Sequence, residues 1–134
     1  MQTMYKVVYV DVWGLKTSCT IKRGKLHTTY ETDKWTAKRK YGPMVFKDKE
    51  RAQVFMDANF PFSASRGYYE VWECDAEGAR QCDFILPIDD VLDLNNETIR
   101  RHMDSMGKEG GPRREWAPRG SYMTSRIRLT RKVW

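Results

Sequence analysis

The C-terminal segment SYMTSRIRLTRKVW constrains the fold more than any other part of this chain, because its residues alternate in character. One alternate set is mostly apolar and comprises Met123, Ser125, Ile127, Leu129, Arg131 and Val133. The other set is polar, basic and aromatic and comprises Tyr122, Thr124, Arg126, Arg128, Thr130, Lys132 and Trp134. A period of two is typical of a strand with one buried face. The segment therefore predicts a strand over residues 122–133, with a cationic second face.

Other stretches predict further strands. MYKVVYVDVW has apolar residues in both alternate sets, which is typical of a central strand covered on both faces. TSCTI, LHTTYET and MVF predict shorter strands. YYEVWECDA predicts a long strand, and CDFILPI, which follows the turn EGARQ, is its expected antiparallel partner.

Two segments predict helices. KERAQVFMDANF follows Asp48, a good N-cap residue, and places Ala52, Phe55, Met56 and Phe60 on one side. ETIRRHMDSM follows Asn96, which is the expected cap of the second helix.

The connection between the second helix and the C-terminal strand predicts an irregular loop, because residues 107–120 hold four Gly and two Pro. The whole chain, residues 1–134, therefore predicts a single α+β domain. We expect a mainly antiparallel sheet of about five to seven strands with two main helices.

The apolar runs exclude a membrane span. The longest, such as VVYV and FILPI, are far shorter than the roughly 20 residues of a transmembrane helix. The N-terminus reaches Asp11 before a signal-type apolar core could form. We therefore expect a soluble, intracellular protein with no membrane partner.

The cysteines and histidines give no strong metal or catalytic signal. The odd count of Cys19, Cys74 and Cys82 argues against a fully paired disulfide framework. We expect them to be small buried residues, and a zinc site with His27 or His102 is the alternative. No nucleophile elbow, phosphate-binding loop or zinc-protease motif is present, so we expect no cofactor and favour a non-enzymatic role.

The charge is distributed in three blocks. Residues 16–51 hold eleven Lys/Arg against four Asp/Glu, and residues 99–134 hold ten against three. Between them, residues 67–98 hold one Arg against nine acids. The two basic blocks either converge on one basic surface or neutralise the acidic block, and these outcomes imply different functions.

The C-terminal basic block is the first candidate binding region. Eight of its ten cations are Arg, whose guanidinium group matches phosphate oxygens and stacks on aromatic rings. Aromatic residues interleaved with cations are typical of surfaces that bind single-stranded nucleic acid. The candidate residues are Arg100, Arg101, Arg113, Arg114, Trp116, Arg119, Tyr122, Arg126, Arg128, Lys132 and Trp134. The alternative is that Arg126 and Arg128 form cross-strand ion pairs with Glu70 or Glu73.

The loop WTAKRKYGP is the second candidate. It places Lys38, Arg39 and Lys40 between Trp35 and Tyr41, an arrangement that could hold a phosphate. The alternative, which we favour, is a solvated loop that Trp35 pins to the core.

Four segments, YKVV, GLKTS, MVFKDKERAQVF and YYEVWEC, with a Tyr ahead of a Trp between them, resemble small uncharacterised proteins of tailed bacteriophages over roughly residues 4–78. The resemblance implies a phage accessory protein expressed in the cytoplasm of a host bacterium, and it implies no activity. The VFKDKERA step is also similar to compact ADP-ribosyltransferase-like domains. Their signature needs a His or Arg on the first core strand, which YKVV lacks, so His27, Tyr30 and Glu73 are the only substitutes.

The leading prediction is a non-enzymatic, phage-type intracellular binding protein. Its basic, aromatic-rich surface would engage nucleic acid or an acidic host or defence protein, with phosphate contacts supplying affinity without sequence specificity. A small ADP-ribosyltransferase-like enzyme acting on a nucleotide and a structural or assembly component are the alternatives. A cleft that holds His27, Tyr30 and an acid would favour the transferase, and a continuous basic face would favour binding.

Overall fold

The computed structural model describes residues 1–19, 28–59, 68–85, 96–105 and 115–134. The strands in these ranges are β1 (Gln2–Val10), β2 (Lys16–Ser18), β3 (Thr29–Tyr30), β4 (Met44–Phe46), β5 (Tyr68–Glu77), β6 (Arg80–Gln81), β7 (Phe84–Ile85), β8 (Glu115–Trp116), β9 (Ser121–Met123) and β10 (Arg126–Lys132). The helices in these ranges are α1 (Lys49–Asn59) and α2 (Asn96–Ser105).

The described strands pair antiparallel throughout. The main sheet has the order β10-β5-β1-β4-β9-β6, with β2 paired to β1 and β3 paired to β2, and β7 and β8 form a separate two-stranded sheet. The predicted α+β class, with a mainly antiparallel sheet and two helices, is confirmed.

Two long strands of the main sheet are bent, and each bend divides one strand into two named elements. β5 continues into β6 through Gly78, and β9 continues into β10 through Thr124 and Ser125. Gly78 has a φ of 65°, a left-handed conformation that favours glycine. The Ser125 N–H donates to the Glu77 carbonyl over 2.8 Å, so the pairing continues across the bends. The eight elements of the main sheet therefore correspond to six strands, within the predicted range.

The main sheet closes on itself. β1 pairs with β4, β4 with β9, β10 with β5 and β5 with β1, while β9 and β10 belong to one bent strand. This path returns to its starting strand, so the sheet has an inner and an outer face.

Both faces of the closed sheet carry apolar clusters. The inner cluster comprises Met4, Val8, Tyr30, Val45, Cys74, Ala76, Ile127 and Leu129. The outer cluster comprises Val7, Cys19, Phe46, Ala52, Met56 and Val71. Because alternate residues of β1 enter different clusters, β1 is apolar on both sides, and the prediction of a central strand covered on both faces is confirmed.

Helix α1 covers the outer face of β1, β4 and β5. It follows Asp48, whose carbonyl accepts a hydrogen bond from the Ala52 N–H over 3.2 Å. Ala52 and Met56 are buried one turn apart, and the Phe55 ring lies 5.2 Å from the Phe46 ring. The predicted apolar side of this helix therefore packs against the sheet, as its spacing indicated.

Lys6 lies on the inner side of β1 between Met4 and Val8 and is only 9% exposed. Its ammonium donates to the Met44 carbonyl over 2.9 Å and lies 5.9 Å from the centre of the Tyr30 ring. Burial is the largest influence on the Lys6 pKa and lowers it, but Tyr30 and the thiols of two nearby cysteines act in the opposite direction, so the net shift is upward. The Lys6 ammonium therefore has a carbonyl oxygen and an aromatic ring as partners inside an otherwise apolar cluster.

A segment without named strands covers the second edge of β10. This segment, residues 33–42, is called the Trp35 segment below. Its N–H groups donate to carbonyls of the bent β9–β10 strand at four places. The donor and acceptor pairs are Asp33 with Leu129, Thr36 with Ile127, Arg39 with Ser125 and Gly42 with Thr124, over 2.7 to 2.9 Å. β10 is therefore an interior strand, with β5 on one edge and the Trp35 segment on the other.

The predicted pairing of CDFILPI with YYEVWECDA is wrong. β7, which lies in CDFILPI, pairs with β8, and the preceding β6 pairs with β9. β5 cannot take β7 as a partner because its two edges are already occupied by β1 and β10. The two residues of β8 lie within the range predicted to be an irregular loop, and the preceding part of that range, 107–114, falls outside the described residues.

The predicted alternation of the C-terminal segment holds only over Arg126–Leu129. Thr124, assigned to the polar face, is fully buried and donates from its hydroxyl to the Pro43 carbonyl over 2.5 Å. The register with β5 then shifts between Leu129 and Arg131, so Thr130 is an extra residue. The bulge moves Arg131 from the predicted apolar set to the solvent-facing side.

Gly42 generates the first testable prediction. A Cβ atom at this position would lie 2.6 Å from the Ser125 carbonyl oxygen and 2.7 Å from the Thr124 carbonyl oxygen, and neither backbone atom can move without breaking the contact of the Trp35 segment with the sheet. Gly42→Ala should therefore lower the free energy of unfolding by about 1–3 kcal/mol, measured by urea denaturation.

Gly14→Ala is the comparison variant. Gly14 has open space around its Cβ position but a φ of 82°, so this variant should lose only the backbone term, about 1 kcal/mol. A Gly42→Ala protein as stable as the wild type would contradict the close approach of the Trp35 segment to β9 and β10.

Candidate functional site

The two basic blocks of the sequence meet at the Trp35 segment. The Trp35 backbone forms an isolated bridge with Arg128 of β10. The guanidinium carbons of Arg126 and Arg128 lie 4.6 Å and 5.1 Å from the centre of the Trp35 ring. Trp35 therefore pins its loop to the sheet, and it does so through the arginines of the other basic block.

We define the Trp35 surface as the aromatic and basic residues of this contact. Its members are Trp35, Lys38, Arg39, Lys40, Tyr41, Arg80, Arg126 and Arg128. Arg80 belongs to it because its guanidinium lies 4.9 Å from the centre of the Tyr41 ring and donates to the Lys40 carbonyl.

The cations of β10 pair with the acids of β5 along one edge. The ion pairs are Arg126 with Glu77 at 2.6 Å, Arg128 with Asp75 at 2.6 Å, Arg131 with Glu73 at 2.6 Å and Lys132 with Glu70 at 3.0 Å. Cross-strand pairing of Arg126 and Arg128 is therefore present, but Glu70 and Glu73 are the wrong partners. The register places Arg126 opposite Glu77 and Arg128 opposite Asp75.

The environment of Glu77 shows how these charges act on one another. The hydrogen bonds from Arg126 hold the pKa of Glu77 below its usual value, and the charges of Lys38 and of the N-terminal amino group lower it further. The same pair raises the pKa of Arg126. Lys38 therefore adds a positive charge to the surroundings of the Arg126–Glu77 ion pair.

The cations of the Trp35 surface exceed the acids that pair with them. Arg126 and Arg128 use Glu77 and Asp75, and Lys40 uses Asp104. No acid of the described residues forms an ion pair with Lys38, Arg39 or Arg80. Among the described residues, the six cations of this surface therefore meet three acids.

Helix α2 contacts the Trp35 surface through Asp104. The Asp104 carboxylate accepts hydrogen bonds from Lys40 over 2.5 Å and from the Tyr41 hydroxyl over 2.6 Å, and Arg100 lies 3.5 Å away. The hydrogen bonds from Lys40 and Tyr41 hold the Asp104 pKa below its usual value. Burial, together with the hydrogen bond to Asp104, raises the pKa of Tyr41 to about 12.

Two of the aromatic residues predicted to lie among the cations of the C-terminal region, Tyr122 and Trp134, do not belong to the Trp35 surface. Tyr122 packs against the inner cluster, and Trp134 is 55% exposed but lies at the opposite end of β10 from Arg126. Trp116 belongs to β8, and its side chain falls outside the described residues. Within the described side chains, the Trp35 surface thus combines cations with Trp35 and Tyr41 only.

Arg100, Arg101 and Arg119 are not members of the Trp35 surface. Arg100 pairs with Glu97 at 3.1 Å as well as with Asp104, and Arg101 is exposed on α2. Arg119 is exposed in the turn before β9, while Arg113 and Arg114 fall outside the described residues.

Of the residues considered for a transferase, Tyr30 and Glu73 are not brought together. Tyr30 is buried in the inner cluster, next to Cys74. Glu73 precedes Cys74 on β5 and pairs with Arg131 on the outer face, so the sheet separates it from Tyr30. His27 falls outside the described residues.

The three cysteines are thiols, and two of them, Cys19 and Cys74, are buried. Burial raises the pKa of Cys74 to about 12, so this thiol stays protonated at neutral pH. Among the residues that the structure describes, no group of His, Cys, Asp or Glu side chains is placed to hold a metal ion.

An exposed apolar hairpin tip between β1 and β2 was missed by the sequence analysis. Val12 and Trp13 are 76% and 88% exposed, and Leu15 is about half exposed. The Asp11 carboxylate accepts hydrogen bonds from the N–H groups of Trp13 and Leu15, each over 2.9 Å, and so fixes the turn. The signal was the stretch DVWGL, which carries large apolar residues where a hairpin turn usually carries polar ones.

Comparison with known protein families, with curated proteins and with solved structures finds no match to this chain. No helix in the described part of the chain is long and apolar enough to cross a membrane.

The pairing of Arg126 with Glu77 generates the second testable prediction. Arg126→Gln should raise the Glu77 pKa toward the ordinary glutamate value of about 4.3, measured by carbon-detected NMR titration. Because the folded pKa of Glu77 is depressed, its pair stabilises the fold above the unfolded pKa and loses this effect as the pH falls through the folded pKa. The unfolding free energies of the wild type and the variant should therefore converge in acid.

Lys132→Gln is the matched control, because Lys132 pairs with Glu70 and not with Glu77. It should leave the Glu77 pKa unchanged. If Glu77 had the same pKa in the wild type and in Arg126→Gln, the ion pair between Arg126 and Glu77 would be ruled out.

Proposed function

We propose that this protein is a non-enzymatic binding protein that engages nucleic-acid phosphates through the Trp35 surface. The observation that carries the proposal is the convergence of two basic segments, far apart in sequence, on one surface. Trp35 lies against both Arg126 and Arg128, which joins the segments side by side. The bacteriophage setting and the host-cytoplasm location remain predictions from the resemblance.

The distribution of paired and unpaired cations supports this function. Arg126 and Arg128 are held in position by their acids. Lys38 and Arg39 lie in the segment that is hydrogen-bonded to this strand, and neither forms an ion pair among the described residues. Cationic side chains that are not paired with acids can bind phosphate oxygens. This binding releases counterions from the nucleic acid.

The mode of binding that the surface supports is contact with the backbone, without reading of bases. Trp35 already has its ring against two guanidinium groups, and the Tyr41 hydroxyl is bonded to Asp104. Stacking of bases on several aromatic rings, as single-strand platforms use, has little support here. We therefore favour binding that depends on phosphate spacing and charge, on duplexes as well as on single strands.

A protein-binding or assembly role is the second candidate, and the hairpin tip favours it. A Trp that is 88% exposed in a hydrogen-bonded turn resembles the anchor residues of protein interfaces. The tip follows the C-terminal end of β1, whereas Glu77 and Arg126 lie beside its N-terminal end. The two surfaces are about 30 Å apart along the strand, so they can be tested separately.

The third testable prediction concerns salt. If roughly four phosphates are neutralised, the slope of log affinity against log salt should be about −3.6 on duplex DNA and about −2.8 on single strands. Lys38→Ala and Arg39→Ala should each make the slope shallower by about one unit. Fluorescence anisotropy with a labelled oligonucleotide, at several salt concentrations, measures both.

Two variants control this experiment. Arg131→Ala removes a cation that is 72% exposed but lies beyond the Trp35 surface, and Trp13→Ser alters only the tip. Neither should change the slope. Absence of binding at about 50 mM salt would refute the nucleic-acid function, and equal losses in all four variants would place binding elsewhere than on the Trp35 surface.

A further inference from the structure

Two cations and a tyrosine hydroxyl surround one carboxylate at the edge of the Trp35 surface, and a third cation lies over the tyrosine ring. Lys40 comes from the Trp35 segment, Arg80 from β6 and Arg100 from α2, and the carboxylate is that of Asp104. Lys40 and Arg100 contact Asp104 at 2.5 Å and 3.5 Å, and the Tyr41 hydroxyl donates to it over 2.6 Å. Arg80 covers the Tyr41 ring at 4.9 Å and donates to the Lys40 carbonyl, so it supports two of the donors.

This donor set matches a phosphate better than it matches one carboxylate. An ammonium, a hydroxyl and a guanidinium that point at one oxygen pair are the groups that bind phosphate oxygens in proteins. Asp104 and Glu97 supply two negative charges against the three positive charges of Lys40, Arg80 and Arg100. A terminal phosphate in place of the Asp104 carboxylate would carry about −1.5 to −2 at neutral pH and would balance the cations better. The acid is also 32% exposed, so a ligand can reach the cluster from solvent.

We propose that Lys40, Tyr41 and Arg100 form a phosphate-binding subsite, which the Asp104 carboxylate occupies while no ligand is bound. The inference rests on the proposed function, because it names where one nucleic-acid phosphate binds. A phosphate that enters this subsite takes over the hydrogen bonds from Lys40 and Tyr41, and Asp104 moves away from them.

The subsite makes Asp104 a competitor of the ligand. If Asp104 fills the subsite in about nine molecules of ten, the apparent affinity of that subsite is about one tenth of its intrinsic affinity. Because Asp104 lies in the last turn of α2, ligand binding also releases the contact between this helix and the Trp35 segment.

The test compares two variants with the same change of charge. Asp104→Asn removes the competing carboxylate, while Glu97→Gln removes a carboxylate of the same helix that pairs with Arg100 at 3.1 Å and is not bonded to Lys40 or Tyr41. Asp104→Asn should bind a 5′-phosphorylated oligonucleotide about tenfold more tightly than the wild type. Glu97→Gln should stay within about twofold, because an exposed pair contributes little.

A second measurement uses the wild-type protein, so it does not depend on a variant that folds. Titration with inorganic phosphate should shift the NMR signals of the Tyr41 ring carbon bonded to the hydroxyl and of the Asp104 carboxyl carbon. The Asp104 pKa, depressed in the free protein by Lys40 and Tyr41, should rise toward its ordinary value as the ligand binds. Signals of Tyr41 and Asp104 that stay fixed at saturating phosphate and saturating oligonucleotide would overturn the subsite.

The outcomes separate this inference from the proposed function. Equal affinity gains in Asp104→Asn and Glu97→Gln, with salt-sensitive binding retained, would overturn the subsite and leave the function standing. Oligonucleotide binding that is absent from every variant would overturn the function, and the inorganic phosphate titration would still decide the subsite. A preference for the 5′-phosphorylated oligonucleotide identifies a terminal phosphate as the ligand, and equal binding without that phosphate identifies the backbone; both support the subsite.

Discussion

The antiparallel pairing of β5 with β10 is the interaction on which the rest of the structure depends. Its register places Ala76 opposite Ile127 and Cys74 opposite Leu129 in the inner cluster. The same register aligns Glu77, Asp75 and Glu73 of β5 with Arg126, Arg128 and Arg131 of β10 on the outer face. A shift by one residue would exchange the two faces, so the packing of the core and the ion pairs select the same register. The pairing also gives the acids of β5 a role, because they neutralise the cations of β10. Other cations of the basic blocks are not paired with described acids.

The second edge of β10 determines where some of those cations lie. Because β5 occupies only one edge, the Trp35 segment can hydrogen-bond to the other, and it brings Lys38, Arg39 and Lys40 beside cations already held by acids. The sequence suggested that ion pairs and a basic surface exclude each other. The structure contains both. The paired arginines act as a rigid support on which Trp35 lies, and the cations that are not paired with described acids form the surface that a phosphate would meet.

Local periodicity predicted the parts of the fold that depend on neighbours in sequence. It identified the central strand with apolar residues in both sets, the apolar side of α1 and the alternation over Arg126–Leu129. It could not predict the bulge at Thr130 or the pairing of β7 with β8, because both depend on which edges other strands have already filled. For the candidate site, composition indicated the basic loop and the basic strand, but the contact of Lys40 with Asp104 joins residues 64 positions apart, and no spacing rule reveals it.

The contact of the Trp35 segment with β10 joins the two basic blocks, and amide hydrogen exchange of the free protein measures that contact directly. The N–H groups of Asp33, Thr36 and Arg39 donate to β10 and to the bend before it, so they should exchange slowly. The neighbouring amides of Ala37 and Lys38 make no backbone hydrogen bond within the described residues and should exchange fast. Fast exchange at all five positions would contradict the account, because the two basic blocks would then not form one surface.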